Sequence, residues 1–358
     1  MKELTSATAL TDLRPLLELA AYVGGDPLLT QASTGNISAK LDGTLWIKAS
    51  GKWMADALHD DFLIPLNLAA LTECLQQGDD PIQRYSTASI ETAMHAILPH
   101  PVVLHIHCVN TIAWAVRRDA QTQLERRLEG MSWQWIPYAL SGLPLAREMD
   151  RALSNRPDTD VFVLGNHGLV LGGRDAKSVE LLLNEVRARM AIAPREAHPA
   201  DYAGLMDICT DSPWDLPDDD GIHALGTDPI SQKILAGGLL YPCQAIFSDS
   251  TSTDLYRPLL CLDPQDAWQP QYRDRPFLVI ESRGVVVRKS ITPIELAMIS
   301  GLSRVVQRLG ASAPIRHLTE SEIAEFSGKV IYRYREVAAA GGELIARRSE
   351  KKQVDLPV

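Results

Sequence analysis

Pro101-Val102-Val103-Leu104-His105-Ile106-His107 is a short apolar, β-branched run that ends in two histidines separated by one residue. Prolines at 99 and 101 bound it on one side, so Val102 to His107 reads as a strand inside the fold. In an extended strand alternate side chains face the same way, which throws His105 and His107 to one side and aims two imidazoles at one point. That is the geometry of a metal-ligand pair. Taken alone, an H-x-H pair is equally well a pair of satisfied core or surface histidines.

Working outward, Ser89 to Leu98 has helical spacing, with Glu91 about one turn in, and the short connection through Pro99 and Pro101 returns it toward the histidines. A carboxylate beside a metal is a candidate general base; a solvated glutamate near a helix N-terminus is the plainer reading. Asn110 to Val116 has the pattern of a further helix. Val161 to Leu164 and Leu169 to Leu171 read as strands around the turn Gly165-Asn166-His167-Gly168. His167, flanked by glycine, offers a third nitrogen, and three imidazoles with an open fourth position are the donor set of catalytic zinc. After this turn Asp175 caps a helix that repeats Val179, Leu182, Leu183, Val186 and Met190. Cys108 to Thr111 supply neither the glutamate that a cupin carries after its pair nor the Asp-His of a metallo-β-lactamase.

Toward the front, Leu13, Leu16, Leu17, Ala20 and Ala21 mark an amphipathic helix stopped by Gly24-Gly25. Ile37 to Leu41 and Thr44 to Ala49 flank Asp42-Gly43, the two-residue signal of a tight hairpin. Antiparallel pairing puts Thr34-Gly35-Asn36 and Ala49-Ser50-Gly51-Lys52 at the same end. Glycine-exposed N–H groups, the Asn36 amide, the Ser50 hydroxyl and Lys48 or Lys52 form an inventory for gripping a phosphate or carboxylate. The same residue types also serve simply as turn formers.

The chain has 358 residues, room for two or three domains, and its 46% hydrophobic and 22% charged residues exclude disordered and fibrous classes. A net charge of −10 argues against nucleic acid or an anionic membrane as partner. Five scattered cysteines form no C-x-x-C pair, which excludes a thiolate zinc site and a disulfide framework and reads them as small core residues. The N-terminus lacks a signal pattern and no long apolar run occurs, so a cytoplasmic location is expected. Residues 194–229, rich in Pro, Asp and Gly, read as an exposed linker between a first domain at 1–210 and a smaller α+β domain at 222–340. The latter carries a hairpin, Phe277 to Ile280 with Val285 to Arg288, and a helix over Thr292 to Leu309; a charged tail occupies 341–358.

Five segments in this order, Gly35-Asn36-Ile37-Ser38, Ser50-Gly51, Ser89-Ile90-Glu91 with His95, His105-Ile106-His107 and Asn166-His167-Gly168, resemble the class II aldolase/adducin family, typified by fuculose-phosphate and rhamnulose-phosphate aldolases. The resemblance spans roughly the first two hundred residues. It implies an α/β fold, a three-layer αβα domain with a central mixed sheet. It also implies a divalent metal, usually zinc, on His105, His107 and His167, with Glu91 as acid/base. Gly35, Asn36, Ser50, Gly51 and Ser89, with Lys48, fall where the family holds the phosphate or other anionic end of its substrate. Tyr138 lies in a stretch that approaches the active site there. The implied activity is reversible aldol cleavage of a sugar phosphate or sugar acid through a metal-stabilised enediolate, in a homo-oligomer that is commonly a tetramer. Decarboxylase, dehydratase and 4-epimerase relatives use the same chemistry, glutamate at 91 tilting away from the epimerases, and an adducin-like interaction module is the non-enzymatic alternative. Where the family often has two serines before the glutamate, Ile90 takes the second place, as in the aldolase part of bifunctional aldolase/dehydrogenase chains. No G-x-G-x-x-G of a dehydrogenase occurs after residue 200.

Overall fold

Every residue of the strand Val102–Ile106 is buried, with Val103, Leu104 and Ile106 fully so, and a strand buried on both faces needs a layer on each side. Each such side chain contributes ~1.5–3 kcal/mol of hydrophobic stabilisation. The computed structural model supplies those layers, and describes residues 6–59, 61–85, 87–247, 272 and 275–329. The chain divides into two units, 1–115 with 120–191, and 116–119 with 192–358.

The first unit runs α1 (Ser6–Gly24), β1 (Asn36–Leu41), β2 (Thr44–Lys48), β3 (Leu63–Asn67), α2 (Leu68–Gln76), α3 (Thr92–Ile97), β4 (Val102–Ile106), α4 (Val109–Ala115), α5 (Ala120–Arg127), β5 (Trp133–Ile136), α6 (Leu143–Asn155), β6 (Val161–Leu164), β7 (Gly168–Gly173) and α7 (Ala176–Arg189). Its seven strands form one sheet in the order β3-β2-β1-β4-β7-β6-β5, antiparallel except for the parallel β5–β6 pair. The sheet is therefore mixed, as expected. On one face Val103, Phe162, Leu164 and Val170 pack with Ala93 and Met94 of α3 and Leu145, Ala146 and Met149 of α6. Helices α4 and α7 pack on β7, and α1 packs on β1 and α7.

The front hairpin forms as read. Asp42 and Gly43 take φ of 49° and 75°, the left-handed pair of a type I′ turn. Asp175 and Ser178 make a reciprocal capping box at the start of α7. One boundary differs: α3 begins at Thr92, so Ser89, Ile90 and Glu91 precede the helix instead of lying within it. The Ser89 hydroxyl accepts the Glu91 N–H at 3.2 Å and its carbonyl accepts the Thr92 hydroxyl at 2.7 Å, a local turn that competes with helix.

The second unit contains α8 (Tyr202–Cys209), β8 (Trp214–Asp215), α9 (Ala224–Thr227), α10 (Pro229–Ala236), β9 (Phe277–Ile280), β10 (Gly284–Arg288), α11 (Pro293–Val306) and α12 (Glu320–Lys329). Its sheet has the antiparallel order β8-β10-β9. Leu205, Ile208 and Trp214 pack with Leu278, Ile280 and Val286, so the stretch expected as an exposed linker is part of this core. The acidic residues that resemble linker punctuation are helix caps: Asp201, Asp219 and Asp228 accept the N–H groups of Gly204, Gly221 and Ile230. Besides 116–119, this unit takes in the chain from Ile192 onward, where the sequence reading places a domain over 222–340. Cys74, Cys108, Cys209 and Cys243 are buried. Cys261 and the tail from 341 lie outside the described residues. Among the described residues no helix is long and apolar enough to cross a membrane.

Candidate metal centre

The sheet register builds the site. Asn36 at the start of β1 pairs with His105 near the end of β4, and His105 pairs on its other side with Val170 of β7. Because β1 and β7 both run antiparallel to β4, the loop before β1 and the β6–β7 turn meet the end of β4. Gly35 permits the approach with φ of 74°; a Cβ there would lie 2.6 Å from the His105 carbonyl oxygen. Gly168 does the same on the other side, where a Cβ would meet the Ile106 oxygen at 2.5 Å. Asn166 takes φ of 51°, which asparagine tolerates, and delivers His167.

The three imidazoles meet as a near-equilateral triangle, with ring centroids 4.9–5.0 Å apart and planes inclined by 69–79°. All three are buried, and one ligand nitrogen from each lies within 4.8 Å of the others. The Nε2 atoms of His105 and His107 are 3.2 Å apart. Glu91 Oε1 stands 3.3 Å from His105 Nε2 and 3.4 Å from His167 Nε2. The Leu169 carbonyl oxygen, 3.0 Å from His105 Nδ1, can only accept, so Nδ1 carries hydrogen and the neutral ring presents a lone pair from Nε2. Electron-rich atoms thus converge on one point, an arrangement that a divalent cation fits. Among the described residues, buried Glu91 Oε1 and Asn36 Oδ1 find no hydrogen-bond partner.

Electrostatics agree with ligation. Burial, with the neighbouring His167 and His105, holds His107 well below the ordinary histidine range, and burial pushes His167 down to about 4. His95 falls to about 3 for the same first reason. Burial would raise Glu91, but the neighbouring His105, with His167 and His107, holds it well below the usual carboxylate range. As pH falls below about 6.5, the unfolded chain protonates these histidines and the folded one does not, so stability drops. Glu91 adds a loss in the same direction below 4.5. The melting temperature of the metal-free protein is therefore expected to fall steeply as pH drops from about 6.5 to 4. Thermal melts across that range, chelator present, check this.

The other sequence-marked residues divide. Asn36 Nδ2 donates to Ser89 Oγ at 2.7 Å and to Glu91 Oε2 at 3.0 Å, so Asn36 braces the carboxylate and ties it to Ser89. Lys48 is buried; its Nζ donates to the carbonyls of Ser33 (3.1 Å) and Lys52 (2.8 Å), and burial lowers its pKa to about 8 although the Glu91 charge opposes this. Ser50 N donates to the Thr87 carbonyl, joining the Ser50-Gly51 turn to the segment leading to Ser89 and Glu91. Tyr138 follows β5, with its backbone beside Gly165. Sequence reasoning gives no role to Ser38, Lys40 or the Leu169 carbonyl; the last is a main-chain group with no sequence signal.

Residues 17–192 match the family described as Class II Aldolase and Adducin N-terminal domain. Over this stretch the chain is a class II aldolase/adducin domain. This class II aldolase domain is 25% identical over 177 residues to an uncharacterized oxidoreductase, YuxG, of Bacillus subtilis; the match covers 44% of the chain and 26% of that protein. The chain thus spans about a quarter of the length of that relative. Among solved structures it is similar to the N-terminal class II aldolase domain of a conserved Thermoplasma acidophilum protein (20% identity, 50% of this chain and 92% of that one, TM-score 0.45). It is also similar to an L-fuculose-1-phosphate aldolase of Thermus thermophilus (18%, 49% and 89%, TM-score 0.38).

Proposed function

We propose that the chain is a metal-dependent lyase that cleaves and forms a carbon–carbon bond in a sugar phosphate or sugar acid by a reversible aldol reaction. The observation that supports this best is the convergence of His105, His107 and His167 on one point with Glu91 Oε1 3.3–3.4 Å from two of them. The three histidines would hold a divalent cation, zinc by donor chemistry. When bound, that ion supplies Lewis-acid stabilisation of negative charge developing on a substrate oxygen.

The chain's own residues do the rest. Glu91, ionised and braced by Asn36, takes a proton at the substrate and returns it. Burial disfavours the charged forms of His107 and His167 and so keeps their nitrogens available as donors. Gly35, Asn36, Ser50, Gly51 and Ser89 border the anionic end of the substrate, and Lys48 acts there by charge and by tying the turn at Lys52. Tyr138 is assigned as proton donor or substrate contact. Subunits assemble as a homo-oligomer in the same reading.

A panel of sugar phosphates, sugar acids and 3-oxo acid phosphates, offered to the zinc-reconstituted chain, tests the proposal. Aldehyde release is expected. Carbon dioxide release or water loss would replace the aldolase reading with a decarboxylase or dehydratase, and no turnover with any of them would favour a binding module.

A further inference from the structure

Residues 36, 38 and 40 of β1 share one face of the sheet, and each meets α3 or a residue flanking it. Asn36 reaches Glu91 at the N-terminal flank. Ser38 Oγ shares a 2.7 Å hydrogen bond with Nδ1 of His95, fully buried in the middle of the helix. Lys40 Nζ donates to the carbonyls of Leu98 and, at 3.2 Å, of His100, where α3 ends. A cation on the last carbonyls of a helix is favourable both as a cap and toward its dipole.

Two strand steps from 36 to 40 cover about 13 Å, and the seven residue steps from 91 to 98, through the helix, about 10 Å at helical rise, so the long lysine side chain takes up the difference. A six-residue helix has no stability of its own. Ala93 and Met94 press it onto the core. That apolar contact sets its distance from the sheet but is not directional, whereas the three polar contacts fix points along its axis. Glu91 is tied to that axis, since its carbonyl accepts the His95 N–H at 3.2 Å.

We propose that Ser38, His95 and Lys40 are positioning residues that set where the Glu91 carboxylate stands against the histidine trio. Ser38 and Lys40 hold the helix from the strand, and His95 passes the hold to Glu91. The catalytic consequence rests on the acid/base reading of Glu91; the positional claim does not.

Crystal structures of the metal-free Ser38→Ala/Lys40→Met protein test it. Glu91 Oε1 is expected to withdraw from His105 Nε2 by about 1 Å while the three ring centroids keep their spacing, a misplacement large enough to lower kcat by roughly 10²-fold. KM is expected to stay within about twofold, metal content to stay at the wild-type level, and Ser38→Thr with Lys40→Arg to restore kcat. Should the double variant fail to fold, Ser38→Ala alone, which removes a single oxygen atom, carries the same measurement. Glu91 found in its original place overturns the proposal. Retained turnover in Glu91→Gln would instead overturn the acid/base reading and leave the crystallographic result to decide the positioning.

Discussion

A Glu91→Gln variant is expected to bind its metal as the wild type does and to turn over roughly 10²–10⁴-fold more slowly, the range typical of removing a positioned acid/base. Glutamine keeps the length of the side chain and an oxygen to accept from Asn36 Nδ2, so the carboxylate's place is kept while its charge and proton affinity go. The ligand set proposed here consists of three imidazoles, and the Leu169 carbonyl that orients His105 is untouched. Loss of turnover with retained metal separates acid/base chemistry from ligation. Metal analysis beside single-turnover kinetics checks it, and unchanged turnover removes Glu91 from the mechanism.

His105→Ala is expected to lose both. His105 is the hub of the site: its Nε2 lies 3.2 Å from that of His107 and 3.3 Å from Glu91, and the strand carrying it is bonded to β1 and β7. Removing an outer-shell partner of a ligand typically costs 10–100-fold in metal affinity, so deleting the ligand itself is expected to cost more than about 100-fold. The wild type at a metal concentration about a hundredfold above Kd gains ~2.7 kcal/mol, which corresponds to roughly 5–10 °C in melting temperature for a domain of this size. The variant is expected to gain almost none. Chelator competition and paired melts with and without Zn²⁺ measure both effects.

The parts of this arrangement that are legible in the sequence are those with local rules. Asp42-Gly43 specifies its turn from two residues, and the alternation across His105-Ile106-His107 needs only the strand period. Asp175 announces its helix because its cap is built within four residues. The misread parts are decided elsewhere in the chain. Ser89 to Glu91 suits a helix by spacing, but Asn36, 53 residues away from Ser89, bonds to its hydroxyl and the turn holds. Asp201, Asp219 and Asp228 look like linker residues until the apolar partners of α8, in β9 and β10 some 70 residues on, draw the stretch into a core. Lys48 stands out in the sequence by its charge, and its confinement by the Ser33 and Lys52 carbonyls depends on how two loops meet. The same is true of the Ser38–His95 pair, whose members stand 57 residues apart.

The proposed chemistry depends on His105, His107 and His167 gripping one divalent cation. An anomalous difference map from crystals of the zinc-reconstituted chain tests it most directly. A single peak bonded to the three Nε2 atoms is the result predicted; a map with no peak there, or with zinc held by other residues, would contradict it.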